Sequence, residues 1–91
     1  MSYFLYIIYS ESIDHYYIGI SENPVLRLER HNTFQTGWTK QGRPWKLVFQ
    51  KEFKAKQIAM KWEKWIKAQK KRSIIEKIIH NQFDWWKQGG C

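Results

Sequence analysis

Residues 3–19 read YFLYIIYSESIDHYYIG and predict a β-hairpin. The first run, residues 3–9, is apolar and aromatic throughout, which favours a strand buried on both faces. Residues 10–15 are polar and suit a turn, and residues 16–20 form a second aromatic and β-branched run. The stretch therefore predicts two antiparallel strands joined by a short turn.

The register of this hairpin brings two tyrosines together. If Tyr9 pairs with Tyr16 across the turn, Tyr6 faces Gly19. Because side chains alternate along a strand, Tyr6 and Tyr17 would then share one face of the sheet. Two phenol hydroxyls would lie close together, and the glycine would leave open space between them. The alternative is structural, since tyrosine suits any pleated, half-buried surface.

Length and composition predict a single domain over residues 1–91. Six Trp, five Tyr and five Phe compensate for the small core of a 91-residue chain. No apolar run approaches the roughly 20 residues that span a bilayer, and no basic flank precedes the first apolar run as in a secretory signal. The lone cysteine, Cys91, fits a reducing cytoplasmic setting.

The net charge of +8 is unevenly distributed along the chain. Residues 1–20 contain two acidic residues and no Lys or Arg, whereas residues 51–80 contain ten Lys or Arg against three Glu. Such a basic segment should attract polyanions, with nucleic acid the first candidate and an anionic membrane surface the second. An ordinary solvated helix face is the alternative.

A short helix is expected over residues 24–32. Asn23 is a good N-cap and Pro24 a good first helical residue. Val25 and Leu28 stand three apart and would pack on the sheet.

This helix also carries basic residues that could take part in a reaction. Arg27 and His31 stand four apart and share one helical face, with Arg30 beside them. An Arg there can hold a phosphate while the His handles a proton, although an ordinary solvent-facing pair is the simpler alternative.

The second half of the chain predicts one more strand and two more helices. Residues 33–44 form a polar loop in which Lys40 and Arg43 could touch a nucleic acid, and residues 45–53 alternate in part (Trp45, Leu47 and Phe49 against polar neighbours) as a third strand. Helices are expected over residues 55–69 and 73–80, followed by an aromatic tail. The expected fold class is α+β, a small three-stranded antiparallel sheet flanked by helices.

The longer helix combines a packing stripe with one isolated acid. Ile58, Trp62 and Ile66 recur at four-residue steps and should face the sheet. Glu63 stands among lysines, so it could form an ion pair with Lys67 or bind a divalent metal together with phosphate oxygens and waters.

This ordered set of residues resembles the GIY-YIG endonuclease superfamily, especially its small stand-alone bacterial members, and is similar to the nuclease domain that begins the excision-repair subunit UvrC. The matching segments are FLY at 4–6, of which only the tyrosine is kept from the first signature, YIG at 17–19, RLERHN at 27–32, RPWKLV at 43–48, AMKWE at 59–63, and a late asparagine, Asn81. The resemblance extends over nearly the whole chain.

The resemblance implies a GIY-YIG-type fold and a specific catalytic set. Tyr17 would orient or deprotonate the attacking water, with Tyr6 hydrogen-bonded nearby, and His31 would relay or accept the proton. A phenol has a pKa of about 10, so Tyr17 needs nearby positive charge to act as the base, and the choice between Tyr17 and His31 stays open. Arg27 would stabilise charge on the phosphate, and Glu63 would hold one Mg²⁺ or Mn²⁺ ion.

The implied function is metal-dependent hydrolysis of phosphodiester bonds in DNA, in the repair or processing of branched or damaged DNA. The residues expected to contact the nucleic acid are Arg30, Lys40, Arg43, Lys67 and Asn81. Because members with known targets carry an added domain, the resemblance implies a protein partner that supplies target specificity to a monomer or weak homodimer. The alternative is a nucleic-acid-binding module with the same fold and no catalysis, and a membrane-surface helix is the weakest interpretation.

Overall fold

The computed structural model describes residues 2–33, 42–83 and 85, with only the backbone described for His31. These residues form a three-stranded antiparallel sheet in the order β2-β1-β3, with helices packed against both of its faces. The elements in chain order are β1 (Tyr3–Ser10), β2 (His15–Ser21), α1 (Pro24–Thr33), β3 (Trp45–Phe53), α2 (Lys56–Gln69) and α3 (Arg72–Ile79). The predicted α+β class and element order are confirmed.

The β1–β2 hairpin has the register that the sequence predicts. Tyr9 pairs with Tyr16, and Tyr6 pairs with Gly19. The rings of Tyr9 and Tyr16 lie 4.8 Å apart between centroids. Tyr6 and Tyr17 therefore belong to the same face, and both join the same apolar cluster.

A β-bulge in β3 changes the faces that its side chains occupy. Ile8 of β1 pairs with Leu47, but Ile7 pairs with Phe49, so Val48 is the extra residue. The prediction that Phe49 alternates in step with Trp45 and Leu47 is wrong. Phe49 instead packs on the opposite face of the sheet.

Each face of the sheet has its own apolar cluster. The larger lies under α2 and α3, and its fully buried members are Leu5, Ile7, Ile18, Ile66 and Ile78. The smaller lies under α1 and is formed by Tyr6, Ile8 and Trp45, with Tyr17, Leu28 and Leu47 packed against it. The central strand thus contributes to both clusters.

Helix α2 is rotated relative to its expected orientation. Trp62 and Ile66 are buried as predicted, but Ile58 is 38% exposed and Ala59 is fully buried. The predicted stripe was therefore wrong at its first position. The small side chain of Ala59 lets the start of the helix approach the sheet closely.

Two aromatic residues that follow α3 pack against α2. Phe83 and Trp85 both stand edge-on to the ring of Trp62, at centroid distances of 5.8 and 4.8 Å. Trp85 also stacks on Phe49, at 6.2 Å. These rings extend the larger cluster beyond α3.

Helix α1 begins at the predicted cap. The side chain of Asn23 accepts a hydrogen bond from the backbone N–H of Leu26, at 3.2 Å. Leu28 packs on the sheet as expected, whereas Val25 is 58% exposed and does not. Among the described residues, none of the helices is both long and apolar enough to cross a bilayer.

Candidate active site

The Tyr6 phenol is the centre of the candidate site. Its side chain is almost fully buried, with 1% exposure. Burial raises the pKa of Tyr6 above its usual value of 10.0, and the nearby Tyr17 and Glu63 raise it further. A hydrogen bond and the positive charge of Arg27 act in the opposite direction. Four side chains from β1, β2, α1 and α2 therefore interact around one hydroxyl.

Gly19 provides the space in which this phenol lies. A β-carbon placed on Gly19 would lie 2.6 Å from the Tyr6 hydroxyl oxygen and 2.7 Å from its Cζ atom. Any side chain at this position would therefore collide with a buried ring. The glycine of the YIG triplet is required here by close approach of the tyrosine across the hairpin.

Arg27 reaches the site from the first turns of α1. Its backbone N–H donates to the carbonyl of Asn23 at 3.1 Å, so the cap fixes where the helix begins. The residue is exposed to solvent, yet its guanidinium lies close enough to the buried Tyr6 phenol to lower the pKa of that phenol. A guanidinium carries five N–H donors, so it can face the phenol and still offer donors to an incoming anion.

Tyr17 lies half-buried at the border of the site. Its ring stands edge-on to Trp45, with 6.4 Å between centroids. The Lys67 ammonium lies 5.8 Å from the centroid of the Tyr17 ring. Lys67 therefore places a positive charge beside the Tyr17 ring.

Glu63 is the carboxylate whose negative charge acts on the Tyr6 phenol. Its side chain is 24% exposed, and its Oε2 atom lies 3.4 Å from the Lys67 ammonium. Within the described part of the chain, no group of three or more His, Cys, Asp or Glu side chains is positioned to hold a metal. One carboxylate fits an ion such as Mg²⁺ that takes its other ligands from phosphate and water, and Lys67 would then have to release Glu63.

Asn32 is a positioning residue whose role the sequence analysis missed. Its Nδ2 donates to the carbonyl of Trp45 at 3.1 Å, and its Oδ1 accepts from the Trp45 backbone N–H at 2.6 Å. These two hydrogen bonds join α1 to the start of β3 and hold in place the helix that carries Arg27. Asn32 is the last residue of the RLERHN segment, so the sequence pointed to this residue but not to its hydrogen bonds with Trp45.

Arg43 has a structural contact in addition to its expected role. It was predicted to touch nucleic acid, but its guanidinium is half-buried and donates to the carbonyl of Asn32 at 3.1 Å. It therefore secures the C-terminal end of α1.

The remaining predicted site residues lie at different distances from the cluster. Arg30 is exposed on α1, and Asn81 is exposed after α3 in a left-handed conformation with φ of 58°. Neither is among the residues whose charge or hydrogen bonding reaches Tyr6. Lys40 and the side chain of His31 lie outside the described residues, although the His31 backbone belongs to α1.

The fold and the cluster together define a class of protein. An antiparallel three-stranded sheet carries a tyrosine pair beside an arginine on one helix and a glutamate on another, which is the arrangement that the resemblance to GIY-YIG nucleases implies. Residues 2–78 match the GIY-YIG catalytic domain, and the chain belongs to this family. The predicted family is confirmed, and a GIY-YIG domain implies the nuclease class and nucleic acid as the class of ligand.

The fold is also that of a solved structure. The chain is similar to the UPF0213 protein BH0048 from Bacillus halodurans, known from a solution NMR structure, with 23% sequence identity and a TM-score of 0.57. The match covers 96% of this chain and 92% of the other. No curated protein matches the chain.

Proposed function

We propose that the protein is a metal-dependent endonuclease that hydrolyses phosphodiester bonds in DNA. The observation that carries this proposal is the interaction of Tyr17, Arg27 and Glu63 with the buried Tyr6 phenol. These residues come from four separate elements, and packing of the core alone does not require a guanidinium and a carboxylate at one phenol.

In the proposed reaction, water attacks phosphorus while one ester P–O bond breaks. The proton of the water passes to Tyr17 or His31, and the leaving oxygen must in turn be neutralised. Tyr17 is half-buried, and the Lys67 ammonium lies over its ring.

Tyr6 is better suited to positioning than to proton abstraction. Its pKa is raised by burial, so it is a neutral phenol at physiological pH. A neutral phenol can donate a hydrogen bond to the phosphate or to the attacking water. It also lies close to Arg27, the guanidinium proposed to stabilise charge on the phosphate.

Glu63 is the residue proposed to hold one Mg²⁺ or Mn²⁺ ion, in keeping with the divalent-metal use general among nucleases of this family. When bound, such an ion supplies positive charge to the phosphate and to the leaving oxygen. The partly exposed Glu63 carboxylate leaves room for the phosphate and water ligands that Mg²⁺ prefers.

The wider assignments belong to the same proposal. The substrate would be branched or damaged DNA in a repair or processing pathway of the cytoplasm, bound by a monomer or weak homodimer. Arg30, Lys40, Arg43, Lys67 and Asn81 would contact the strands, and a protein partner would supply target specificity.

A nucleic-acid-binding module without catalysis is the second candidate. The observation in its favour is the ion pair between Glu63 and Lys67, which gives the carboxylate a partner without any metal. An exposed pair of this kind is weak, so it does not by itself explain a carboxylate placed close to Tyr6.

A substrate panel separates the two candidates. Purified full-length protein is incubated with labelled single-stranded, duplex, flap and branched DNAs, with Mn²⁺ or with a chelator. The endonuclease proposal expects metal-dependent cleavage of at least one of these DNAs. Binding to the panel with no cleavage at any Mn²⁺ concentration would instead support the binding module.

A further inference from the structure

A cavity of about 440 Å³ lies beside Tyr17, on the face of the sheet that α2 and α3 cover. It opens between β2 and the corner at which α2 ends and α3 begins. Its volume falls in the range of about 300–1,000 Å³ typical of small-ligand sites. Tyr17 lines this cavity from the edge strand β2, and its ring belongs to the smaller cluster with Tyr6 on the other face, so the cavity lies across this edge from the candidate active site.

The floor of the cavity is apolar and its rim is cationic. Ile18, Ile66 and Ile75 provide the floor. The rim carries four basic residues, Lys67, Lys70, Lys71 and Arg72. An apolar surface beside concentrated positive charge matches the two halves of a nucleotide, whose base is apolar on its face and whose phosphate is anionic.

Two of the four cations already have partners. Lys67 pairs with Glu63, and Arg72 holds Asp14 through contacts of 2.7 and 3.1 Å while its guanidinium lies over the ring of Tyr16. These two side chains shape the rim.

Lys70 and Lys71 differ from them. Among the described residues, no ion pair engages either side chain, and both are exposed. Lys70 ends α2 in a left-handed conformation with φ of 52°, and its backbone N–H donates to the carbonyl of Lys67. Glycine is the usual residue in this left-handed conformation at a helix end, because it has no side chain to be strained. The lysine found here instead places a positive charge at the corner between α2 and α3.

We propose that this cavity binds one unpaired nucleotide of the substrate strand next to the scissile phosphate. The base lies on the isoleucine floor, and the phosphates on either side contact Lys70 and Lys71. A base can lie on the floor only when it has left its own stack. The inference rests on the proposed function in taking nucleic acid as the ligand, and it selects substrates with an unpaired strand.

The test is a comparison of binding without cleavage. Affinities of the full-length protein for a short single-stranded DNA and for a blunt duplex are measured by fluorescence anisotropy in the presence of a chelator. The variant Lys70→Gln/Lys71→Gln should bind the single strand on the order of 10-fold more weakly at 0.1 M salt, with a salt slope reduced by about 1.4. Its affinity for the duplex should change by less than about 3-fold.

A matched variant controls for the loss of charge. Lys61 and Lys64 lie exposed on α2 and do not line the cavity, so Lys61→Gln/Lys64→Gln removes the same amount of charge from the adjacent helix. This variant should affect single strand and duplex alike. If both double variants weaken binding of the single strand equally, the proposal is overturned. The loss of affinity would then reflect general electrostatic attraction and not contacts at the cavity.

The base is tested separately from the phosphate. In NMR spectra, deoxyadenosine monophosphate should shift the methyl signals of Ile18, Ile66 and Ile75, and inorganic phosphate at the same concentration should not. Identical shifts with phosphate, or none with the nucleotide and the single strand, would remove the nucleotide site. These results do not depend on cleavage, so failure of the nuclease proposal and failure of the cavity proposal can be told apart.

Discussion

A β-carbon on Gly19 would lie 2.6 Å from the hydroxyl oxygen of Tyr6, on the neighbouring strand. Tyr6 is 1% exposed and cannot swing away without opening the smaller cluster. We expect Gly19→Ala to destabilise the protein by about 1–3 kcal/mol, as overpacking of a core does, and to reduce any cleavage. Urea denaturation measures the first effect. Unchanged stability would mean that the ring does not occupy this space in solution.

The interaction between Tyr6 and its neighbours predicts a measurable titration. Burial raises the pKa of Tyr6, so the stability that its neutral form contributes is complete below pH 10.0 and is lost as the pH rises through the higher folded value. Arg27→Met should raise this pKa further, whereas Glu63→Gln should lower it. The measurement is the phenolate absorbance with that of Tyr6→Phe subtracted. Shifts of the opposite sign would contradict the described cluster.

Local sequence signals predicted most of the fold. The hairpin register follows from two aromatic runs around a polar turn, and the start of α1 follows from Asn23 and Pro24. The sequence also predicted that Tyr6 and Tyr17 share one face of the sheet, because the alternation of side chains along a strand depends only on local sequence.

The features that were missed depend on contacts distant in sequence. The bulge at Val48 is visible only against Ile7 and Ile8 of β1, so alternation within β3 could not reveal it. Similarly, a stripe beginning at Ile58 and one beginning at Ala59 both have helical spacing, and the distance of α2 from the sheet decides between them.

A second titration tests how the hairpin turn is attached to α3. Hydrogen bonds from Arg72 first, and from Tyr9, lower the pKa of Asp14 from 3.8 to about 2. The stability that this carboxylate contributes is therefore present above pH 3.8 and is lost as the pH falls through about 2. We expect Arg72→Met to raise the Asp14 pKa towards its usual value, as followed by NMR of the carboxyl carbon.

The melting temperature supplies an independent check of the same contact. The difference in melting temperature between wild type and Arg72→Met should become smaller as the pH is lowered from about 4 to about 2, because Asp14 becomes protonated. Lys46→Met is a suitable control, because it removes an exposed cation that pairs with Glu11. A constant difference across this pH range would show that Arg72 stabilises the protein without acting through Asp14.

The proposed catalytic roles predict large losses of activity from small changes. Arg27→Ala and Glu63→Gln should each lower cleavage by at least about 100-fold, because a charge-stabilising group is lost from the transition state. Glu52→Gln removes an exposed carboxylate from β3 and should leave cleavage unchanged. Cleavage is measured on the best substrate of the panel with Mn²⁺. Full activity in both site variants would remove the assigned site.

The ion pair between Glu63 and Lys67 predicts competition between the ammonium and a divalent cation. Their atoms lie 3.4 Å apart, and the lysine side chain is 53% exposed. An exposed pair is worth about 0.2–1 kcal/mol, so Lys67→Met should tighten Mn²⁺ binding by up to about 5-fold. Calorimetric titration of the DNA-free protein measures this, with Lys64→Met as the control of equal charge. Weaker Mn²⁺ binding in Lys67→Met than in Lys64→Met would mean that the ammonium does not compete for the Glu63 carboxylate.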